Sequence, residues 1–240
     1  MNSNFAILEL KYGNIYGGFP NFFAIAEISL LVFDPRGNKV FVETWRNGLD
    51  IDYVSVYSKV NELGHTVSRA KEVINMKTGR TRPFVEEFKL EKEPLDYLFR
   101  KLKPVHQWVK KFLLTNLKKY EVKDLVTFDG RRDLFLCEKS GVRLDRMNIV
   151  DLQKDLNKET DYLFSLNKLS VIVNCRIEGS YLRSNNLEYW LHPIAAKQFN
   201  PKSAAWDAAR LLMVHNEYRQ FHDDFLIKAA LLLNKIQATK

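Results

Sequence analysis

The stretch that decides the fold is Ile25-Ala26-Glu27-Ile28-Ser29-Leu30-Leu31-Val32-Phe33, followed by Asp34-Pro35-Arg36-Gly37-Asn38 and then Lys39-Val40-Phe41-Val42-Glu43-Thr44-Trp45. Two runs rich in branched and aromatic residues flank a turn with proline and glycine where a hairpin requires them. Upstream, Phe5-Ala6-Ile7-Leu8-Glu9-Leu10 is a short apolar run of the kind that forms a buried strand. The chain is therefore expected to open as a three-strand antiparallel meander.

Beyond the meander, strand and helix patterns alternate. Glu93–Lys119 carries Leu95, Leu98, Leu102, Val105, Trp108, Val109, Phe112 and Leu113 at helical spacing, with a break expected near Pro104. Leu125–Phe128 and Met147–Leu152 read as strands, with a helix between them from about Arg132. Leu163–Ile172, Ala204–Gln220 and Phe225–Ile236 read as helices. Residues 46–93 are polar and irregular, with one helix candidate at Val54–Leu63. The expectation is a single α/β domain over residues 1–240, with an insertion or mobile segment at 46–93 and a final apolar helix at 225–236.

Composition narrows the function classes. The chain has 240 residues, 46% of them hydrophobic, with few glycines (10) and prolines (7), which excludes collagen-like and low-complexity chains. Two cysteines, Cys137 and Cys175, make neither a disulfide framework nor a zinc motif, which favours a reduced, intracellular setting. The first residues lack a basic segment before an apolar one, and Glu27 interrupts the longest apolar run. A soluble, cytoplasmic chain with no membrane partner is expected. The net charge of +8 points towards a polyanion.

Three segments in order resemble the DEDD exonucleases of the ribonuclease H-like superfamily, in the proofreading branch. The first is Glu9-Leu10-Lys11 on the opening strand, with Ile25-Ala26-Glu27-Ile28 on the next. The second is Leu125-Val126-Thr127-Phe128-Asp129-Gly130-Arg131-Arg132-Asp133, followed by Ile149-Val150-Asp151-Leu152 and Ser165-Leu166-Asn167-Lys168-Leu169. The third is Lys202-Ser203-Ala204-Ala205-Trp206-Asp207-Ala208. The resemblance covers about residues 5–215. It implies a ribonuclease H-like mixed sheet, three antiparallel strands and then parallel ones, flanked by helices. It also implies 3′–5′ phosphodiester hydrolysis by two divalent ions, Mg²⁺ or Mn²⁺, held by carboxylates and assisted by a histidine base.

At the chemistry itself the chain departs from that pattern. Glu9, Asp133 and Asp207 are the carboxylates that remain to hold a metal, and Lys11 stands where the family has a glutamate. Lys202 stands at the histidine, and a lysine of ordinary pKa near ~10.4 is a poor base at neutral pH. An ammonium ~4 Å from a metal charge costs about 4 kcal/mol per unit charge at an effective dielectric of ~20. Metal is therefore expected to bind weakly or not at all.

Each of these positions also has a plainer reading. Glu9 and Lys11 share a strand face, which suits either a cleft or a surface ion pair; they also spell half of a restriction-type Glu-x-Lys dyad. Asp133 would serve as a helix cap, and Asp207 would suit a solvated helix face. The histidines form no metal cluster; His192 is the one a shifted loop would bring near the third motif. Of the basic clusters, Arg131, Arg132 and the Lys77, Arg80, Arg82 segment are the candidates for phosphate contacts. The leading expectation is a nucleic-acid-binding protein, taking DNA or RNA as a single strand or an end, with nuclease activity lost or much reduced. The alternatives are a working metal-dependent 3′–5′ exonuclease and a protein-interaction scaffold.

Overall fold

The computed structural model describes residues 3–19, 21–86, 92 and 94–238. The opening meander forms as β1 (Phe5–Ile15), β2 (Phe23–Asp34) and β3 (Lys39–Arg46). Ile7 pairs with Leu31 and Leu31 with Val42, and a bulge falls between Lys11 and Tyr12. At the β2–β3 turn the Arg36 N–H donates to Asp34 Oδ1 at 2.9 Å, an Asx-type closure. Both faces of β1 are buried, Phe5 and Ile7 on one side and Ala6, Leu8 and Leu10 on the other. That two-sided burial is why the strand reads as a continuous apolar run and not as an alternating one.

Residues 46–93 are not the irregular insertion expected. They contain β4 (Asp52–Val60), β5 (Thr66–Asn75) and β6 (Thr81–Pro83), an antiparallel extension of the same sheet. The helix candidate at Val54–Leu63 is corrected to a strand and its turn. Tyr53, Val54, Val56, Tyr57 and Val60 are β-branched or aromatic, and a stiff branched side chain packs better on a pleated strand than against a helical turn. Residues 87–91 and 93, with the expected start of the next helix at Glu93, lie outside the described residues.

This extension also corrects the expected sheet. The main sheet is not ribonuclease H-like, with three antiparallel strands and then parallel ones. It curls along a six-strand antiparallel path, β3-β2-β1-β4-β5-β6. The parallel part is a short pair off that path, β7 (Asp124–Thr127) and β8 (Asn148–Asp151), with β7 beside the first residues of β1.

Helices cover both faces. On one face lie α1 (Leu95–Lys119) and α2 (Arg131–Lys139), with Leu98, Leu102, Val105, Val109 and Leu136 against the sheet. Pro104 sits within α1 without ending it. The other face carries α3 (Leu152–Thr160), α4 (Leu166–Ile172), α6 (Ala204–Gln220) and α7 (His222–Ala238). A small sheet of β9 (Arg176–Glu178), β10 (Tyr181–Arg183) and β11 (Glu188–Trp190) and the one-turn α5 (Pro193–Ala196) precede α6. Helix α6 is buried along most of its length, which explains its alanines. Its Glu217 is satisfied by Ser184 Oγ at 2.6 Å and by the Asn186 N–H at 2.7 Å. Among the described residues no helix is long and apolar enough to cross a membrane.

One edge of β1 positions the site. Its far edge pairs with β2, while its near edge is divided: Phe5–Ile7 pair with β7, and Asn14 and Ile15 pair with β4. Residues 8–13 between them have no strand partner on that side, so the sheet forks there. The β4 arm is held tightly at the fork, because a Cβ on Gly13 would lie 2.3 Å from the Val54 carbonyl oxygen and 2.6 Å from Tyr53 Cδ2. Gly13→Ala is expected to destabilise the chain by about 1–3 kcal/mol through backbone displacement. Urea unfolding measures this, and an unchanged midpoint would show that β4 is free to shift.

Candidate functional site

The fork is where the expected carboxylates meet. Glu9 and Lys11, two residues apart on β1, project towards α6, which supplies Asp207 from its first turn. Lys11 Nζ lies 2.5 Å from Asp207 Oδ2, and Arg210 Nη1 lies 3.0 Å from Asp207 Oδ1. Arg210 is fixed in turn by Ser170 Oγ at 2.8 Å and Asn167 Oδ1 at 2.6 Å, both on α4. The start of α6 is itself pinned. Ser203 Oγ accepts the Trp206 N–H at 3.1 Å, and Glu27 Oε2 accepts the Ala204 N–H at 3.1 Å. Glu27 also pairs with Arg46 at 2.5 Å, so the second apolar strand contributes a capping carboxylate and not a metal ligand.

Asp133 enters from the opposite layer. It lies in the first turn of α2, largely withdrawn from water, with its carboxyl turned towards the Leu10 N–H on the open edge of β1. Neither plainer reading holds, the cap for Asp133 or the solvated face for Asp207.

The electrostatics follow from this crowding. Removal from water pushes the Glu9 carboxyl well above its usual range, and the charges of Asp133 and Asp207 push it further, against the pull of Lys11 and Arg210. Asp133 is raised to about 7, chiefly by burial, with the Leu10 N–H and Lys11 opposing. Burial acts to lower Lys11, but the charge and hydrogen bond of Asp207, with Glu9 and Glu27, hold its pKa above the ordinary lysine value. Near neutral pH the cluster therefore carries less negative charge than three free carboxylates would, and its firmest contact is an internal salt bridge.

A metal does not fit these residues. Both oxygens of Asp207 face cations, Lys11 Nζ on one and Arg210 Nη1 on the other. Among the described residues, no group of three or more His, Cys, Asp or Glu side chains is placed to hold an ion. Lys11 supplies the positive charge that the cluster needs.

Around the cluster lies a cleft of about 850 Å³, bounded by Glu9–Asn14 of β1, by Val54–Val56 and Lys71 of the β4–β5 arm, and by Phe128, Asp129, Asp133 and Gln153. Its mouth continues into a groove formed by Tyr12, Phe23, Phe135, Arg131 and Arg132. The Arg132 guanidinium lies over the Phe23 ring at 4.6 Å, and Arg131 is exposed beside Asp129 at 3.7 Å. Asn14 places a buried Oδ1 on this wall with no hydrogen-bond partner among the described residues.

Other expected residues fall elsewhere. Lys202, placed by the resemblance at the general base, has a left-handed backbone (φ 71°) that turns it away from Asp207. Its ammonium meets Glu72 at 3.2 Å and the Tyr57 ring at 4.2 Å on the β4–β5 arm. Lys77, Arg80 and Arg82 do not line the cleft; Arg82 pairs with Asp52 at 2.9 Å and covers the Tyr16 ring. His192 caps α5 through Nδ1. The sequence reading missed Arg210, although its position one helical turn after Asp207 was a usable signal. It also missed Tyr12, Phe23, Lys71 and Gln153, which carry no motif.

Asp133 gives the site a pH signature. The folded chain retains a proton that the unfolded chain releases above about pH 4, so this group costs stability as pH rises from about 4 to about 7. Asp133→Asn removes that titration at nearly unchanged side-chain volume. Its Tm relative to the parent chain is therefore expected to climb between pH 5 and pH 8; a difference that stays flat would contradict the buried carboxyl.

Comparison with protein-family models, with curated proteins and with solved structures finds no match to this chain.

Proposed function

We propose that the chain binds nucleic acid in the cleft at the fork and does not hydrolyse it by metal-dependent chemistry. The observation that carries this reading is the 2.5 Å contact of Lys11 Nζ with Asp207 Oδ2, beside Glu9 and Asp133. The site keeps three carboxylates of the exonuclease resemblance but answers them with an ammonium and a guanidinium. Hydrolysis of a phosphodiester at such a site would need a hard cation to polarise the phosphate and to generate hydroxide, and Asp207 already holds two protein cations.

Binding needs less. With Glu9 and Asp133 raised and Asp207 bridged by two cations, the floor of the cleft does not strongly repel a phosphate. Lys71 on the wall and Arg131 and Arg132 at the mouth offer phosphate contacts, while Tyr12, Phe23, Phe128 and Phe135 offer faces on which bases stack. The overall charge of +8 adds a steering field.

Fluorescence polarisation with labelled DNA and RNA oligonucleotides, run across a salt series, tests this reading. Affinity is expected to fall steeply with salt. The Arg131→Glu, Arg132→Glu double variant is expected to weaken binding by roughly tenfold or more and to reduce the log–log salt slope by about 1–2. In the same samples Mg²⁺ or Mn²⁺ is expected to produce no trimming. Robust trimming abolished by Asp133→Ala would overturn the non-hydrolytic part, and no binding at low salt would overturn the whole.

A further inference from the structure

We propose that a cavity between α1, α2 and the start of β2 is a binding site for a small amphipathic acid, a hydrocarbon body with one carboxylate and about ten non-hydrogen atoms in all. The site is separate from the carboxylate cluster and does not rest on the nucleic-acid reading.

The cavity measures about 280 Å³. Its deep end is made by Ala24 and Ile25 of β2, Leu102 and Val105 of α1 and Leu136 of α2, all buried. Phe22 and Phe99 stand at its side, edge to face with ring centroids 5.1 Å apart, and Phe99 is 57% exposed. The helix pattern explains this shape. Leu98, Leu102, Val105 and Val109 form the stripe of α1 that packs on the sheet. Phe99, Lys103 and His106, at i, i+4 and i+7, form the neighbouring stripe, and His106 reaches Ser140 at the end of α2.

The mouth is basic. Lys103 and Lys139 line it from exposed positions, and His106 lines it one helical turn after Lys103. His106 Nδ1 lies 3.0 Å from Ser140 Oγ, whose hydroxyl donates to the Leu136 carbonyl at 2.8 Å, so the ring is fixed beside Lys139. Burial, and then the nearby Lys139 charge, push the His106 pKa down. Among the described residues no carboxylate lines the cavity, and neither Lys103 nor Lys139 has a carboxylate partner. The cleft at the fork shares Asn21 and Phe23 with this cavity, yet it is lined by Glu9, Asp129 and Asp133.

An apolar chamber with unpaired ammonium groups at its opening selects a ligand with two unlike ends. The hydrocarbon leaves water inside, and the anion stays at the rim among the cations. Volume sets the length. An apolar cavity of ~150 Å³ takes a six-carbon ring, so one of about 280 Å³ takes roughly eleven non-hydrogen atoms, the size of octanoate or decanoate.

Equilibrium dialysis with radiolabelled octanoate, octan-1-ol and octylammonium tests the site. The parent chain is expected to take up octanoate saturably, about fivefold more tightly than octan-1-ol, with octylammonium weaker still. The Lys103→Glu, Lys139→Glu double variant changes only exposed side chains and is expected to reverse that order. Phe99→Ala is expected to weaken octanoate and octan-1-ol alike, by about threefold or more. Along a series of acids, affinity is expected to climb roughly two- to fourfold per methylene from hexanoate to decanoate and then level off.

A lack of saturable octanoate uptake would overturn the proposal. Equal affinity for octanoate and octan-1-ol, or an order unchanged in the double variant, would overturn the acid as ligand. Affinity unaltered by Phe99→Ala, or rising steadily to hexadecanoate, would mark adsorption elsewhere on the surface and overturn the cavity as the site.

Discussion

Strand β1 must serve two partners along a single edge, and neither covers it completely. β7 takes Phe5–Ile7 and β4 takes Asn14 and Ile15, so the backbone between them has no ladder on that side. Polar backbone left open in a packed interior demands compensation. On this open stretch Lys11 reaches across to Asp207 on the α6 layer, and Asp133 brings a second carboxyl beside Glu9 from the α2 layer. The two helical layers, which otherwise meet β1 through apolar packing on its two faces, thus also bring charged side chains together at one point of that strand.

That tie explains how several carboxylates are tolerated in a small volume. Their mutual repulsion and loss of water raise Glu9 and Asp133, while Lys11 and Arg210 oppose it. A partly buried ion pair of this sort adds little net stability against an apolar alternative, yet removing one partner leaves the other uncompensated. Asp207 is held from both sides, with Arg210 anchored on α4, so the arrangement is fixed and not a loose surface bridge. On the proposed reading, a fixed internal salt bridge is what distinguishes a cleft that holds a phosphate backbone from one that cuts it.

Much of this was legible in the residues. Asp34-Pro35-Arg36-Gly37 announced the β2–β3 turn, and Glu9, Lys11, Asp133 and Asp207, which the exonuclease resemblance singled out, lie near one another. The β4–β5 arm was not legible as a strand pair. Both faces of much of the arm are exposed, Val56, Val60 and Val67 among them, so it lacks the two-residue apolar period of a half-buried strand, and this hid the antiparallel extension that corrects the sheet. Lys202 was misplaced because a left-handed backbone at that residue redirects its side chain, and such a turn has no signature in a lysine. The cleft wall escaped notice because Tyr12, Phe23 and Gln153 gain their role only from the fork.

The central claim is that the Lys11 ammonium occupies the place of a metal cation among Glu9, Asp133 and Asp207. Titration of Mn²⁺ into the protein, followed by the electron paramagnetic resonance signal of the free ion, tests it without reference to any activity. The account predicts no uptake at this cluster by the parent chain and uptake by Lys11→Glu, which exchanges the internal cation for a fourth carboxylate. Stoichiometric Mn²⁺ binding by the parent chain that disappears in Asp133→Asn would contradict it.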